Sequence, residues 1–387
     1  MDFTVELPAF LSVIHRNIYL AARRLTPLER SLAGVQDEAL QASCAAYHGF
    51  VLDMLSDMYE NPHAYGLPAG ELEALLQGKK VNALRLTNPE QTKALQWATG
   101  DSLVIYLQLL CLMGQLGTCV EPGLLLSAAE METVVKQVTA VHSAVSAQSA
   151  LTALERVGLV WDGVRLVSQR HPGMFAGMCA LARSAQKLSG FGFFAFCNCE
   201  FRNIIKPYKP VFEDYIQPLY EESKHAAEKI RAAALALDLK PIVSSVFWKL
   251  YYKHKSEAVL TLDMENQWLS VHVTGVYGHH DLSWMEEKLA AESPAFQQYI
   301  LRHLQRCVAC TATHLGRHIT LLGKRQRVCG GGGIAFIWRE PGEEDMAAIM
   351  KCIAFRKAII DVHVIPWKKA EKQAKALEQT RAYSRPS

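Results

Sequence analysis

The chain has 387 residues, half of them apolar and only 20% charged, which is enough apolar material to bury at least two ordinary cores and too much for a largely disordered polypeptide. A balance of 41 Lys and Arg against 38 Asp and Glu leaves a formal charge of +3, so bulk electrostatics do not call for a polyanionic partner and any such partner must be argued locally. Ten cysteines at irregular spacing do not form a disulfide scaffold; they suit a reducing compartment, as thiols or metal ligands.

The chain begins MDFTVELPAF, with two acids and no basic residue before its apolar positions, the reverse of a secretory signal. The sequence therefore places the protein in the cytoplasm. Residues 1–120 carry helical periodicity and read as a helical bundle. Phe10, Leu11, Ile14 and Ile18 mark a first amphipathic helix, and Thr26-Pro27-Leu28-Glu29 has the spacing of a capping box. A second helix is expected to end near Glu60, before Asn61-Pro62, and Asn88-Pro89-Glu90 can start another. The greasy run Leu103 to Leu116 is shorter than the roughly 20 residues of a membrane span. It contains Gln108 and Gln115 and reads as a buried core helix, so no membrane partner is expected.

Residues 121–205 read as a winged-helix-like segment, because two helices are followed by LVWDGVRLV, with Asp162-Gly163 as a hairpin turn. Ser149 to Val157 would take the place of a recognition helix, yet it offers a single basic residue, Arg156. A helix that reads DNA needs side chains for both phosphates and base edges, so nucleic acid is weakly supported as a partner. GFGFFAFCNCEF then reads as a buried apolar strand, on which Cys197 and Cys199 would share a face; a metal or redox role for them is the less economical account.

KPYKPVFEDY reads as a linker, and Tyr215 to Leu237 as a solvated helix. Residues 206–365 form an α+β domain: three strands of period two after Pro241, a helix over Ser283 to Arg306, a cysteine-bearing loop, strands near His318 to Leu322 and Ile334 to Trp338, and a helix over Glu343 to Ile360. Residues 366–387 are a basic tail, expected to be a solvated helix that frays into disorder. The fold class is therefore α+β, with a helical N-terminal region, a winged-helix-like middle and a C-terminal antiparallel sheet packed by helices.

The order of an FWKLYY strand, a meander, a long helix, Cys-x-x-Cys, an ITLLGK strand, a further Cys and a final helix near FRKAII resembles bacterial proteins of unknown function, in which a small sheet is followed by a cysteine-bearing insertion. The likeness covers roughly residues 151–360, with LERVGLVWDGVRLVSQRHPGMF as its upstream part. It implies a fold and a cysteine site, and no activity.

The insertion itself is CVACTATHLGRHITLLGKRQRVCGGGG. Cys307-x2-Cys310 supplies one chelating knuckle, and Cys329 would close the site with His314 or His318 as the fourth ligand of a structural zinc set. The second knuckle of a full Cys-x2-Cys pair is missing, so a set of ordinary thiols stands beside the zinc reading. A third reading is redox: Arg306 would favour a thiolate at Cys307 or Cys310, although the βαβ context of thioredoxin-like proteins is missing.

Charge marks the same place. Ser293 to Arg339 contains no Asp or Glu, where the chain average would give about five. Within it, Arg306, Arg317, Lys324, Arg325 and Arg327 form a candidate anion-binding surface. Gly330 to Gly333 can turn backbone amides toward an anion, but lacks the spacing of a P-loop and serves equally as a flexible turn. Gly278-His279-His280-Asp281 reads as a solvated turn rather than a metal or acid–base site, and His171 and His272 as a helix-start and a strand residue. No Gly-x-Ser-x-Gly, His-Glu-x-x-His or Gly-x-Gly-x-x-Gly is present, so three common enzyme classes lack their usual motif.

The preferred reading is a non-enzymatic binding or regulatory protein with a structural zinc site and a cationic surface for an anionic ligand or a protein partner. The alternative is a thiol-dependent redox or small-molecule enzyme using Cys307 and Cys310.

Overall fold

The computed structural model describes residues 13–67, 102–120, 122–141, 147–244, 249–264, 269–276, 279–305, 317–328 and 334–383. The fold class is α+β, and the chain divides into two units, Met1–Pro218 and Leu219–Ser387.

The first unit contains α1 (Val13–Arg24), α2 (Leu28–Ser31), α3 (Glu38–Glu60), α4 (Ser102–Leu116), β1 (Thr118–Val120), β2 (Gly123–Leu125), α5 (Ala128–Val141), α6 (Ala147–Glu155), β3 (Leu159–Trp161), β4 (Arg165–Ser168), α7 (Phe175–Ala185), α8 (Gly190–Cys197), α9 (Arg202–Ile205) and α10 (Phe212–Ile216). Asp37 caps α3 by accepting from the backbone N–H groups of Ala39 and Leu40. The greasy run is α4, with Leu109, Leu110 and Met113 fully buried, and α7 packs against both α3 and α4. Gln115 Nε2 donates to the Ala182 carbonyl at 2.9 Å, so a polar side chain ties the two buried helices together. Among the described residues, no helix is long and apolar enough to cross a membrane.

Around α4 to β4 the strands form one antiparallel sheet in the order β1-β2-β4-β3. Asp162 Oδ1 accepts from the N–H groups of Val164 and Arg165, and Gly163 has φ +102°, which fixes the hairpin between β3 and β4. Helix α6 turns Ala147, Ala150, Leu151, Ala153 and Leu154 inward. Just past its end, Arg156 is engaged by Asp57 of α3 at 2.8 and 3.1 Å.

Two local expectations fail here. GFGFFAFC is the helix α8 rather than a strand, since an unbroken apolar run fits either element and only packing decides. Gly192 allows α8 to approach the backbone of Ala185, where a Cβ would lie 2.6 Å from the carbonyl oxygen. Cys199 consequently lies beyond the helix end, fully buried and with φ +50°. Thr26 does not cap α2; its hydroxyl donates to the buried Glu200 at 3.2 Å, a tertiary partner that outcompetes the local one.

The second unit contains α11 (Glu221–Ala236), β5 (Lys240–Val243), β6 (Lys249–His254), β7 (Glu257–Asp263), β8 (Ser270–Val276), α12 (His279–Ala290), α13 (Pro294–His303), β9 (Arg317–Leu321), β10 (Lys324–Val328), β11 (Ile334–Arg339), α14 (Glu343–Ile359), a π turn (Ile360–Val364) and α15 (Ile365–Tyr383). Strands β6, β7 and β8 form the expected three-stranded antiparallel meander, which β5 extends beside β6 and β11 beside β8 in the order β11-β8-β7-β6-β5. Cross-strand rows Leu250–Leu262–Val271–Trp338 and Tyr252–Leu260–Val273–Phe336 are buried, and α14 packs against β7 and β8. The row Tyr251–Thr261–His272–Ile337 occupies the other face and is half-buried.

The expected helix over Tyr215 to Leu237 is two helices separated at Pro218, and the one over Ser283 to Arg306 is likewise two. Ser293 caps α13 and Pro294 occupies its first turn, a start signal lying within one helical pattern. His279 opens α12 rather than sitting in a solvated turn. Tyr299 of α13 links the sheet to α14: its hydroxyl donates to Asp345 and accepts from Trp338 Nε1 at 2.9 Å.

Candidate functional site

Strands β9 and β10 form a two-stranded hairpin with the register Leu321–Lys324, Thr320–Arg325, Ile319–Gln326, His318–Arg327 and Arg317–Val328. Leu322 and Gly323 form the two-residue turn with φ +51° and +70°, the twist that closes a tight hairpin. A leucine takes the left-handed position usually given to Asn or Gly, and its N–H is held at 2.7 Å by Glu286 Oε1 of α12. Leu321 and Val328 are fully buried on one face, fixing which way the hairpin lies. By the period of two, His318, Thr320, Arg325 and Arg327 share the opposite face, and all four are exposed.

The structure thus brings together His318, Arg325 and Arg327 from the residues singled out by sequence. Lys324 is exposed beside the turn, next to Leu321, and Arg317 pairs through its backbone with Val328. Arg306, Cys307, Cys310, His314 and Cys329 lie outside the described residues, as does Gly330 to Gly333. Among the described residues, no group of three or more His, Cys, Asp and Glu is arranged to hold a metal ion.

No family model, no curated protein and no solved structure matches the chain. The likeness of residues 151–360 to bacterial proteins is therefore one of pattern alone.

Four of the described cysteines are chemically quiet. Cys44, Cys111 and Cys179 are buried in the first unit and Cys352 in the second, and burial pushes each thiol up to about 12. At neutral pH these sulfurs are protonated packing groups, not nucleophiles.

The densest polar cluster among the described residues is internal to the first unit. Glu200 is 1% exposed and accepts from Arg202 Nε at 2.6 Å and Nη2 at 2.5 Å. Arg202 also donates to Tyr208 Oη at 3.1 Å, and Asp214 accepts from Tyr208, Arg30 and the Val211 N–H. Two carboxylates thus face two guanidinium groups, with their oxygens occupied. Such a network ties residues 26–30 to residues 200–214 and leaves neither acid available as a catalytic base. Sequence gave little sign of it, since its members are scattered across nearly two hundred positions.

Proposed function

We propose that the protein is a non-enzymatic binding or regulatory protein that offers the outer face of the β9–β10 hairpin to an anionic ligand or an acidic protein surface. The observation that carries this reading is the joint exposure of His318, Arg325 and Arg327 on one hairpin face. Paired arginines on a short, turn-locked hairpin present fork-shaped donors with little freedom to lose on binding.

A structural zinc ion bound by Cys307, Cys310, Cys329 and either His314 or His318 fits this chemistry. Three thiolates and a neutral imidazole around Zn2+ carry a net charge of −1, which neighbouring arginines would stabilise. His318 is exposed in register with Arg327, so its imidazole is open to a ligand role. Such an ion would brace the hairpin base, and the cytoplasmic, reducing setting inferred from the cysteines would keep the thiols available.

The first unit is proposed to contribute the winged-helix-like segment expected over residues 121–205. Helices α5 and α6 are followed by the β3–β4 hairpin, with β4 between β2 and β3, a connectivity that supports this reading. The commitment of Arg156 to Asp57 favours a protein-contact role for α6 over DNA reading.

Metal analysis of untagged protein tests the proposal. About one zinc per chain, lost in both Cys307→Ser and Cys329→Ser, is expected. An absence of metal together with fast alkylation of Cys307 or Cys310 at neutral pH would replace it with the thiol-enzyme reading. Titration with a mixed-sequence oligonucleotide at low and moderate salt decides whether nucleic acid is the anion. A salt-dependent complex weakened in Arg325→Gln/Arg327→Gln is the positive result, and no complex removes nucleic acid as partner.

A further inference from the structure

The β5 edge of the sheet holds a cleft of about 420 Å3 lined by Asp238, Lys240, Ile242, Lys253, His254, Lys255 and Ser256. Three features set it apart. Lys240 and Lys253 are directly opposite each other in the β5–β6 register, so two ammonium side chains leave adjacent backbones on the same face. Like charges so placed repel, and neither lysine has a carboxylate within ion-pair reach among the described residues. Lys255 and Ser256 form the two-residue β6–β7 turn with φ +46° and +72°, where Asn-Gly would be the unstrained choice. Asp238 also has positive φ, so three of the seven described non-glycine residues in the left-handed region line this one cleft.

The third feature is how the lining is held. Asp361, in the π turn that joins α14 to α15, pairs with Lys255 Nζ at 2.6 Å, His254 Nε2 at 2.7 Å and Lys357 Nζ at 3.2 Å. Pairing with Lys255 and His254 holds its carboxyl well below the usual carboxylate range. One anchored carboxylate thus fixes two cleft residues, while Lys240 and Lys253 have no ion-pair partner among the described residues.

We infer that this cleft binds a small phosphate-bearing molecule. A phosphate bridging Lys240 and Lys253 turns a repulsive pair into two charge-assisted contacts, with the Ser256 hydroxyl as a third donor. The exposed Ile242 and the Asp238 carboxylate give the remaining wall an apolar surface and an acceptor for a ligand hydroxyl. The volume suits a phosphorylated metabolite or a nucleotide rather than a polymer. This site is separate from the hairpin patch and does not depend on it.

Calorimetric titration of the full chain with pyrophosphate, paired with thermal melting, is the test. Saturable binding and a raised melting temperature are expected. In Lys240→Gln/Lys253→Gln the affinity should fall at least about tenfold, while the ligand-free melting temperature holds or rises because the repulsion is gone. Lys255→Asn/Ser256→Gly should stabilise the turn yet bind pyrophosphate more weakly, which separates the site from the fold. Arg325→Gln/Arg327→Gln should leave pyrophosphate binding unchanged. Undetectable binding, unchanged affinity in the double-lysine variant, or loss only in the hairpin variant would overturn the assignment.

Discussion

Replacing Gly177 with alanine sets two effects of opposite sign against each other. Alanine in a helix interior is favoured over glycine by about 1 kcal/mol. At this position of α7, however, a Cβ would lie 2.6 Å from Cys44 N, 2.7 Å from Cys44 Cα and 2.7 Å from the Ser43 carbonyl carbon. Relieving the closest contact to 3.4 Å requires α3 and α7 to separate by about 0.8 Å. The same gap is bridged by Ser43, whose Oγ accepts from Gly177 N at 2.7 Å and donates to the Gly173 carbonyl at 2.5 Å. Overpacking of this kind costs about 1–3 kcal/mol, and stretching a buried bridge about 1–3 kcal/mol more, so after the gain of about 1 kcal/mol the steric effect wins by about 1–5 kcal/mol. Native-state hydrogen exchange reads the first unit by itself. Amides of α3 and α7 should exchange roughly fivefold to several-thousand-fold faster in Gly177→Ala. Gly173→Ala, with nothing within 4 Å of the added methyl, should change protection little. Equal or slower exchange in Gly177→Ala would refute the steric argument.

Two further outcomes follow from side-chain pairing. Tyr299→Phe strands the buried Trp338 indole N–H and removes the donor to Asp345 Oδ1, and should lower stability by about 1–3 kcal/mol in a urea titration followed by tryptophan fluorescence. Burial pushes the Asp57 carboxyl up, but hydrogen bonds from Arg156, Tyr65 and Asn61 outweigh it and hold the group below its ordinary 3.8. A depressed carboxylate contributes stability above its unfolded value and loses it as the pH falls through the folded one, so Asp57→Asn should flatten the acid side of the stability profile. With Arg156 40% exposed, solvent screening should leave only a weak coupling between the two in a double-mutant cycle.

The α+β class was legible because the second unit announces its meander through strict alternation, as in Leu250, Tyr252, Leu260 and Leu262. Where period carries no information the reading failed: GFGFFAFC is apolar at every third and every second position alike, and only its fit against Ala185 makes it a helix. Thr26 shows the complementary failure, since a capping-box spacing cannot reveal that a carboxylate 174 positions away will claim the hydroxyl. On the hairpin, alternation was enough to group His318, Arg325 and Arg327 once β9 and β10 were paired. The lysine cleft was not legible, because Lys240 and Lys253 become neighbours only through register. Lys255 and Ser256 fall between two of the strands expected after Pro241, but nothing in the sequence marks a turn of two left-handed residues there.

The π turn at Ile360–Val364 makes the last forty residues of helix sensitive to length in a way an ordinary α-helix is not. One surplus residue is accommodated there, and Val362, 64% exposed, is the position with least packing to lose. Deleting Val362 would restore regular winding, but everything on one side of it would rotate by about 100° relative to the other. Either Asp361 would swing away from His254 and Lys255, or His363 would leave its stacked position 4.7 Å from Trp284. A single-residue deletion in this helix therefore amounts to unlatching the rod from either the sheet edge or α12, while leaving helix content unchanged.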